Sequence, residues 1–303
     1  MAKNEHPNVS ERPAVIESAI SPFRRGEPLK SLAATAFDAV ECLTAGASII
    51  HHHHDFRLDV SGTVDEMTDL GRRIHNEHPA AILYPDFVRG GSFAEKISHF
   101  GPLTANGTVN MIPVDPGAIM FGGVDEKGLP FTANRFGTDL TDACTLVDLA
   151  SRAGVPVTIG VYEPGNLRFA LACAATGRLP AGSMVKLYFA GEYSIYDIGQ
   201  RALNFGLPPS KASLDAYLGM LEGSGLPWNV GVMGGVLLET PLARYALECG
   251  GHLRIGTEDA AGLSDADDRE MVVAAVSLVE SVGRPLARSE RARDALLTAD
   301  QAR

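Results

Sequence analysis

Two stretches, far apart in the chain, hold the side chains best suited to chemistry. The first is Ile49-Ile50-His51-His52-His53-His54-Asp55, two apolar residues running into four histidines and an acid. The second is His252-Leu253-Arg254-Ile255-Gly256-Thr257-Glu258-Asp259. A strand over 47–53 alternates its side chains between faces, so His51 and His53 point one way and His52 and His54 the other. Two imidazoles two residues apart on one face can bind one divalent metal. His52 and His54 then read as packing or loop residues. In the second stretch Arg254, Gly256 and Glu258 share a face by the same alternation. His51, His53 and Glu258 together make a two-imidazole, one-carboxylate set with open positions for substrate. Zinc favours that set for catalysis, and iron(II), manganese or cobalt can also use it. Asp259 is then a candidate general base beside the metal, with Arg254 orienting it or binding a carboxylate. The competing reading is that Glu258 and Asp259 cap the following helix through backbone N–H groups, and spacing alone does not choose between the two.

For these stretches to meet, the chain must bring its early and late strands together. Short apolar runs at 14–20, 47–53, 80–84, 108–114, 156–162, 184–190, 228–233 and 252–257 alternate with helix-periodic segments. Thr63-Val64-Asp65-Glu66 is a capping box that would open the second helix, and Thr240-Pro241 pairs an N-cap with a proline at the first helical position. Residues 121–137, rich in glycine, read as a long irregular loop. Eight strand-then-helix units without a second domain boundary predict a closed (β/α)8 TIM barrel over 14–283, with an N-terminal arm (1–13) and an arginine-rich helical extension (284–303). An open doubly wound sheet is the runner-up, but no Gly-x-Gly-x-x-Gly follows the first strand and no phosphate-binding P-loop motif occurs. In a barrel the active site lies at the C-terminal ends of the strands, where both stretches fall. Arg24 and Arg25, after the first strand, are either surface charge or reach an anion there, and Glu163 reads as a solvated loop acid.

Bulk properties exclude several classes. The net charge of −11 argues against nonspecific binding to nucleic acid or an anionic membrane. Cys42, Cys144, Cys173 and Cys249 are widely spaced, so reduced buried thiols are expected rather than a disulfide framework. The first residues carry no apolar signal-peptide core, and no apolar run reaches membrane-spanning length. A cytoplasmic protein is the resulting expectation.

Ala45-Gly46-Ala47-Ser48-Ile49-Ile50-His51-His52-His53 resembles the AGAxxxHxH segment of the β-keto acid cleavage enzymes, and Gly250-Gly251-His252-Leu253-Arg254-Ile255-Gly256-Thr257-Glu258-Asp259 is similar to that family's GGHxRxGxED segment. The resemblance spans about residues 14 to 283 in order and spacing. It implies a zinc-dependent (β/α)8 barrel, usually a homotetramer, that condenses a β-keto acid with acetyl-CoA. CoA then passes to the cleaved acyl part and acetoacetate leaves in a retro-Claisen step. By motif position it implies His51, His53 and Glu258 as zinc ligands and Arg254 and Asp259 as the catalytic pair. The CoA phosphates would need backbone donors, for which Gly234 and Gly235, after the seventh strand, are candidates; a tight turn is their other reading. Many members carry Pro-Glu-x-Glu on the fifth strand. Here that stretch is Val157-Thr158-Ile159-Gly160, so the carboxylate that can meet an amino group is missing, and an anionic or apolar β-keto acid is expected instead of 3-keto-5-aminohexanoate. A metal-dependent hydrolase or lyase working without CoA, and a barrel that merely stores metal, are the competing readings.

Overall fold

The apolar runs and amphipathic segments resolve into strands and helices in a computed structural model, which describes residues 9–21, 28–196 and 199–297. The strands are β1 (Ile16–Ile20), β2 (Ile49–His52), β3 (Ile82–Pro85), β4 (Ile112–Val114), β5 (Ile119–Val124), β6 (Pro130–Phe136), β7 (Val157–Val161), β8 (Met184–Ala190), β9 (Trp228–Met233) and β10 (His252–Ile255). The helices are α1 (Leu32–Ala45), α2 (Val60–Glu77), α3 (Phe93–Ile97), α4 (Phe100–Ala105), α5 (Leu140–Ala153), α6 (Pro164–Ala175), α7 (Lys211–Leu221), α8 (Pro241–Glu248), α9 (Asp268–Ser281) and α10 (Ser289–Ala295).

Eight of the strands form one parallel sheet in the order β3-β2-β1-β10-β9-β8-β7-β4, so the first and last barrel strands lie side by side. The gap between β3 and β4 is bridged by Asn110. Its N–H donates to Leu83 O (3.1 Å), its Oδ1 accepts from Leu83 N (2.8 Å), and its Nδ2 donates to Ala81 O (2.9 Å). The side chain thus imitates the missing ladder, and the sheet becomes a nearly closed (β/α)8 TIM barrel, as the alternation of elements predicts. No described helix is long and apolar enough to cross a membrane.

Two local expectations are corrected. The second helix starts at Val60, capped by Asp59, whose side chain accepts from Gly62 N. Thr63 is buried inside that helix, and Glu66 instead accepts from the backbone N–H of Asp55 at 2.9 Å, tying the helix to the end of the histidine stretch. An acid at 59 is the better N-cap because it lies where the chain turns into the apolar stripe. Residues 121–137 are not an irregular loop: β5 and β6 pair as an antiparallel hairpin, with a register shift between Phe121 and Gly122. The glycines there hid the alternation that marks a strand. The four cysteines are free thiols; Cys42 and Cys173 are buried, as expected, whereas Cys144 and Cys249 are half-buried.

The register sorts the barrel interior into layers. Partners share a face, which sets Glu17 level with Ile49 and Arg254, His51 level with Tyr84 and Ala19, and Lys186 level with Asn229 and Gly160. At the N-terminal end Val15, Ile49, Ile82, Met111 and Met184 pack against Ala287, Ala292 and Leu296, so α10 plugs the barrel floor. Arg284 fastens that plug. It is buried, and its guanidinium donates to the carbonyls of Arg12, Pro13, Leu247 and Gly251. Losing a charged donor that serves several buried carbonyls strands those oxygens. Arg284→Ala is therefore expected to cost about 3 kcal/mol, read as a lower urea midpoint at unchanged slope. An unchanged midpoint would show that water serves the carbonyls equally well.

Candidate active site

The C-terminal end of β2 delivers His51 and His53 to the barrel mouth, and the turn after β10 delivers Glu258. Gly256 makes that turn possible: at φ +151° a Cβ would stand 2.1 Å from Ala19 O, so only glycine lets β10 pass β1 this closely. His51 Nε2 lies 3.5 Å from Glu258 Oε2, and His53 Nε2 lies 3.0 Å from Glu258 Oε1. One ligand atom from each of the three residues falls within 4.8 Å of the others. His51 is held from behind by stacking on Tyr84 (ring centroids 4.6 Å apart) and by Nδ1 against Tyr84 O at 3.3 Å. That carbonyl contact leaves Nε2 directed at the common centre, the usual way a protein orients a metal-binding histidine.

The donor set fits a divalent cation. Both ring nitrogens of His53 are buried without a hydrogen bond, although Nδ1 is 3.3 Å from Asp86 Oδ2 and Nε2 faces Glu258. Burial alone would lower the His53 pKa, but Glu258 and Asp86 outweigh it and push it up to about 10. The acids thus favour positive charge at this point, which a metal ion held by these residues would supply. His52 and His54 turn the other way and are buried, with pKa values that burial depresses to about 3 and about 4. They are neutral packing residues, in keeping with the alternation.

Arg254 lies under the triad with 1% of its surface exposed. Its Nε and Nη2 grip Asp259 at 2.8 and 2.9 Å, while Nη1 reaches Glu17 Oε1 at 2.7 Å and the Tyr84 hydroxyl at 2.9 Å. Nη2 also comes within 3.5 Å of Glu258 Oε2. Glu17 is in turn bonded by Tyr84 and by Asn229 Nδ2 (2.8 Å), and Lys186 Nζ donates to the Tyr84 hydroxyl (2.9 Å). Burial pushes the Asp259 carboxyl up to about 6 against the pull of Arg254, which leaves it able to take up and release a proton near neutrality. Asp115, at the end of β4, is also raised to about 6 by burial.

The residues singled out by spacing therefore meet: His51, His53, Arg254, Glu258 and Asp259 form one constellation. Gly234 stands beside it, and its N–H is engaged by Asp259 O at 2.8 Å. Glu163 does not act as a loose acid; its side chain accepts from Gly206 N (2.9 Å), and its backbone N–H at the N-cap of α6 donates to Asn166 Oδ1 (2.8 Å). Arg24 and Arg25 lie outside the described residues. Sequence reasoning missed Glu17, Tyr84, Lys186 and Asn229. Each of these sits within an apolar strand, and a single charge such as Glu17 in Ile16–Ile20 or Lys186 in Met184–Ala190 was the available signal. Over the mouth, the β5–β6 hairpin meets the loop after β8 through Phe121 and Tyr196, whose rings are 5.3 Å apart edge to face.

A parallel (β/α)8 barrel with two histidines and a glutamate converging at its C-terminal mouth is a barrel with a candidate divalent-metal site. Comparison narrows this. The chain matches the β-keto acid cleavage enzyme family over residues 30–297, and it belongs to that family. No curated protein matches it in sequence. Among solved structures it is similar to apo ObcA (TM-score 0.62, 15% identity, 88% of this chain and 64% of that one) and to the binary complex of ObcA with oxaloacetate (TM-score 0.59, 15% identity, 88% and 67%). The type I 3-dehydroquinate dehydratase of Clostridium difficile is similar at TM-score 0.53 and 13% identity, covering 89% of this chain and 94% of that one. These likenesses establish the fold; the chain spans just under two thirds of apo ObcA.

Metal content tests the constellation directly. His51→Ala, His53→Ala and Glu258→Ala are each expected to lose at least about tenfold in zinc affinity by calorimetry, whereas His52→Ala, on the other face of the strand, keeps it. Equal loss in His52→Ala would overturn the alternation argument.

Proposed function

We propose that this member is a zinc-dependent acyltransferase that takes a β-keto acid and acetyl-CoA to acetoacetate and a new CoA ester. The observation that carries the reading is the Arg254–Asp259 pair, buried and held directly beside the His51–His53–Glu258 centre. A metal held by those three residues would polarise a ligating keto oxygen as a Lewis acid.

The chain's own groups handle the proton and the positioning. The carbon between the keto group and the carboxylate of a β-keto acid bears the acidic hydrogen. Asp259 is the group to take it, because its pKa sits near 6 and both its oxygens are fixed by Arg254. The carbanion attacks the acetyl thioester; a carbon–carbon bond forms and the CoA thiolate leaves. The thiolate then adds to the original keto carbon, the old carbon–carbon bond breaks, and Asp259 returns the proton to the departing acetoacetate. Atoms balance with no added oxidant, reductant or water. Arg254 cannot drift during these steps, because Glu17 and Tyr84 hold its other end. Gly235, beside Asp259, is the backbone donor we assign to the CoA phosphates.

The assay is acetoacetate release from a panel of β-keto acids, with and without acetyl-CoA, alongside metal analysis. Release that depends on acetyl-CoA is expected. Turnover without it would make the protein a metal-dependent hydrolase or lyase instead. Asp259→Asn is expected to lower kcat by about 10²–10⁴-fold with metal content retained. Arg254→Lys should fall comparably, since an ammonium cannot replace a bidentate fork that also reaches Glu17. Full activity in either variant would remove the pair from the chemistry.

A further inference from the structure

One cation in the barrel interior has no part in the steps above. Lys186 lies on β8, level with Gly160 on β7 and Asn229 on β9, and 4% of it is exposed. Its Nζ donates to the Tyr84 hydroxyl at 2.9 Å, and among the described residues this is its one hydrogen-bond acceptor. An ammonium carries three donors, so two N–H groups are left over. Burial works against the charge, and Glu17 and Asp115 stand near enough to work for it. Neither acid forms an ion pair with Lys186 among the described residues. Asp115 has its own hydrogen-bond partner in Tyr162, and Lys186 acts on it through charge alone.

The surroundings fix where these donors sit. Nζ lies 4.6 Å from the centroid of the Tyr84 ring and 5.6 Å from that of Tyr188. The Tyr84 hydroxyl that accepts from Nζ also accepts from Arg254 Nη1 at 2.9 Å, so it turns its own hydrogen to Glu17. Two cations thus share one phenol oxygen, and the second of them holds Asp259. Lys186 is brought beside the acid–base pair without being tied to it. Arg254 works against the charge on Lys186, so negative charge arriving between them is favoured by both.

The proposed acyl transfer develops negative charge on two oxygens. The keto oxygen is the one that a metal at His51, His53 and Glu258 would polarise. The thioester oxygen has no donor assigned. As the carbanion bonds to the thioester carbonyl carbon, the π pair of that C=O moves onto its oxygen. When the pair returns, the C–S bond breaks and the CoA thiolate leaves. The reacting carbon faces Asp259, and the thioester oxygen is then two bonds away, in the space around Arg254 and Lys186. We infer that Lys186 is a catalytic residue of the acetyl transfer, its ammonium donating to the thioester oxygen as the charge develops there. This rests on the acyltransferase reading and adds the group that stabilises its first addition.

Two CoA analogues test it by binding to the zinc-loaded protein, without turnover. S-ethyl-CoA lacks the carbonyl oxygen, and carboxymethyl-CoA puts a charged oxygen close to where the thioester oxygen sits. In calorimetry the wild type is expected to bind carboxymethyl-CoA at least about tenfold more tightly than S-ethyl-CoA. Lys186→Met should cut that margin about tenfold, and Lys186→Arg, which keeps charge and donors, should retain most of it. In turnover, Lys186→Met should lower kcat about 10²–10³-fold with the KM for acetyl-CoA little changed, since the contact strengthens only as the reaction proceeds. If Lys186→Met does not fold, Lys186→Gln, which has no charge, is expected to show the same reduced margin. No margin in the wild type, an unchanged margin in the variants that lack the charge, or a loss confined to KM overturns the inference. A residue that only balances Glu17 and Asp115 would leave the two analogues in the same ratio. Acetyl-CoA-dependent release of acetoacetate with an unchanged margin removes the role of Lys186 alone. Binding of neither analogue, with turnover that ignores acetyl-CoA, removes the acyltransferase reading and this role with it.

Discussion

The structure depends on one buried cation. Arg254 projects into the barrel with almost none of its surface in contact with solvent, and a lone guanidinium could not be kept there. Glu17 matches it from the floor side and Asp259 from the mouth side, and removing either partner of such a pair costs about 3–5 kcal/mol. This arrangement exists only because β10 pairs with β1, placing Arg254 level with Glu17. The seam where the barrel closes and the seat of its central charge are the same contact. Tyr84 adds β3 to the assembly and passes it on to Lys186 on β8. Four strands are thereby tied through side chains that all point inward.

This layer also explains the vertical organisation of the barrel. Below it the interior is apolar and sealed by α10. Above it are the histidines, Glu258 and the mouth. Arg254 spans the boundary, with one nitrogen directed at Glu17 and the other two at Asp259. A side chain packed this tightly has little freedom to relax, so it holds the Asp259 carboxylate in one place.

Much of the site was legible because period-two alternation is strict. His51 and His53 could be separated from His52 and His54 with no more than the pleat, and Arg254 and Glu258 placed together by the same rule. The barrel followed from alternating runs, and only its closure brings Glu258 to the histidines. Glu17 and Lys186 were not legible for a physical reason: a charge inside an apolar strand is unfavourable in isolation, and the partners that make it acceptable lie on other strands. The hairpin was missed because glycines at 122 and 123 break its pattern, although Phe121 and Phe136 on its inner side pack into the aromatic cluster over the mouth.

The adjacent acids Glu258 and Asp259 show how the fold assigns roles. Burial raises both, but the outcome differs. At Glu258 the charge of His53 prevails and the carboxyl is held below its ordinary value. At Asp259 burial prevails over Arg254, which already shares its charge with Glu17, and the carboxyl rises to about 6. Two successive residues of one turn are thus driven apart, one kept ionised and suited to a cation, the other poised to exchange a proton. Divergence of this kind between neighbouring carboxylates would let one serve a cation and the other a proton, as the proposed function requires. It arises here from the direction each side chain takes, toward the histidines or back along Arg254, and that direction is set by the glycine at 256 that lets the strand end turn.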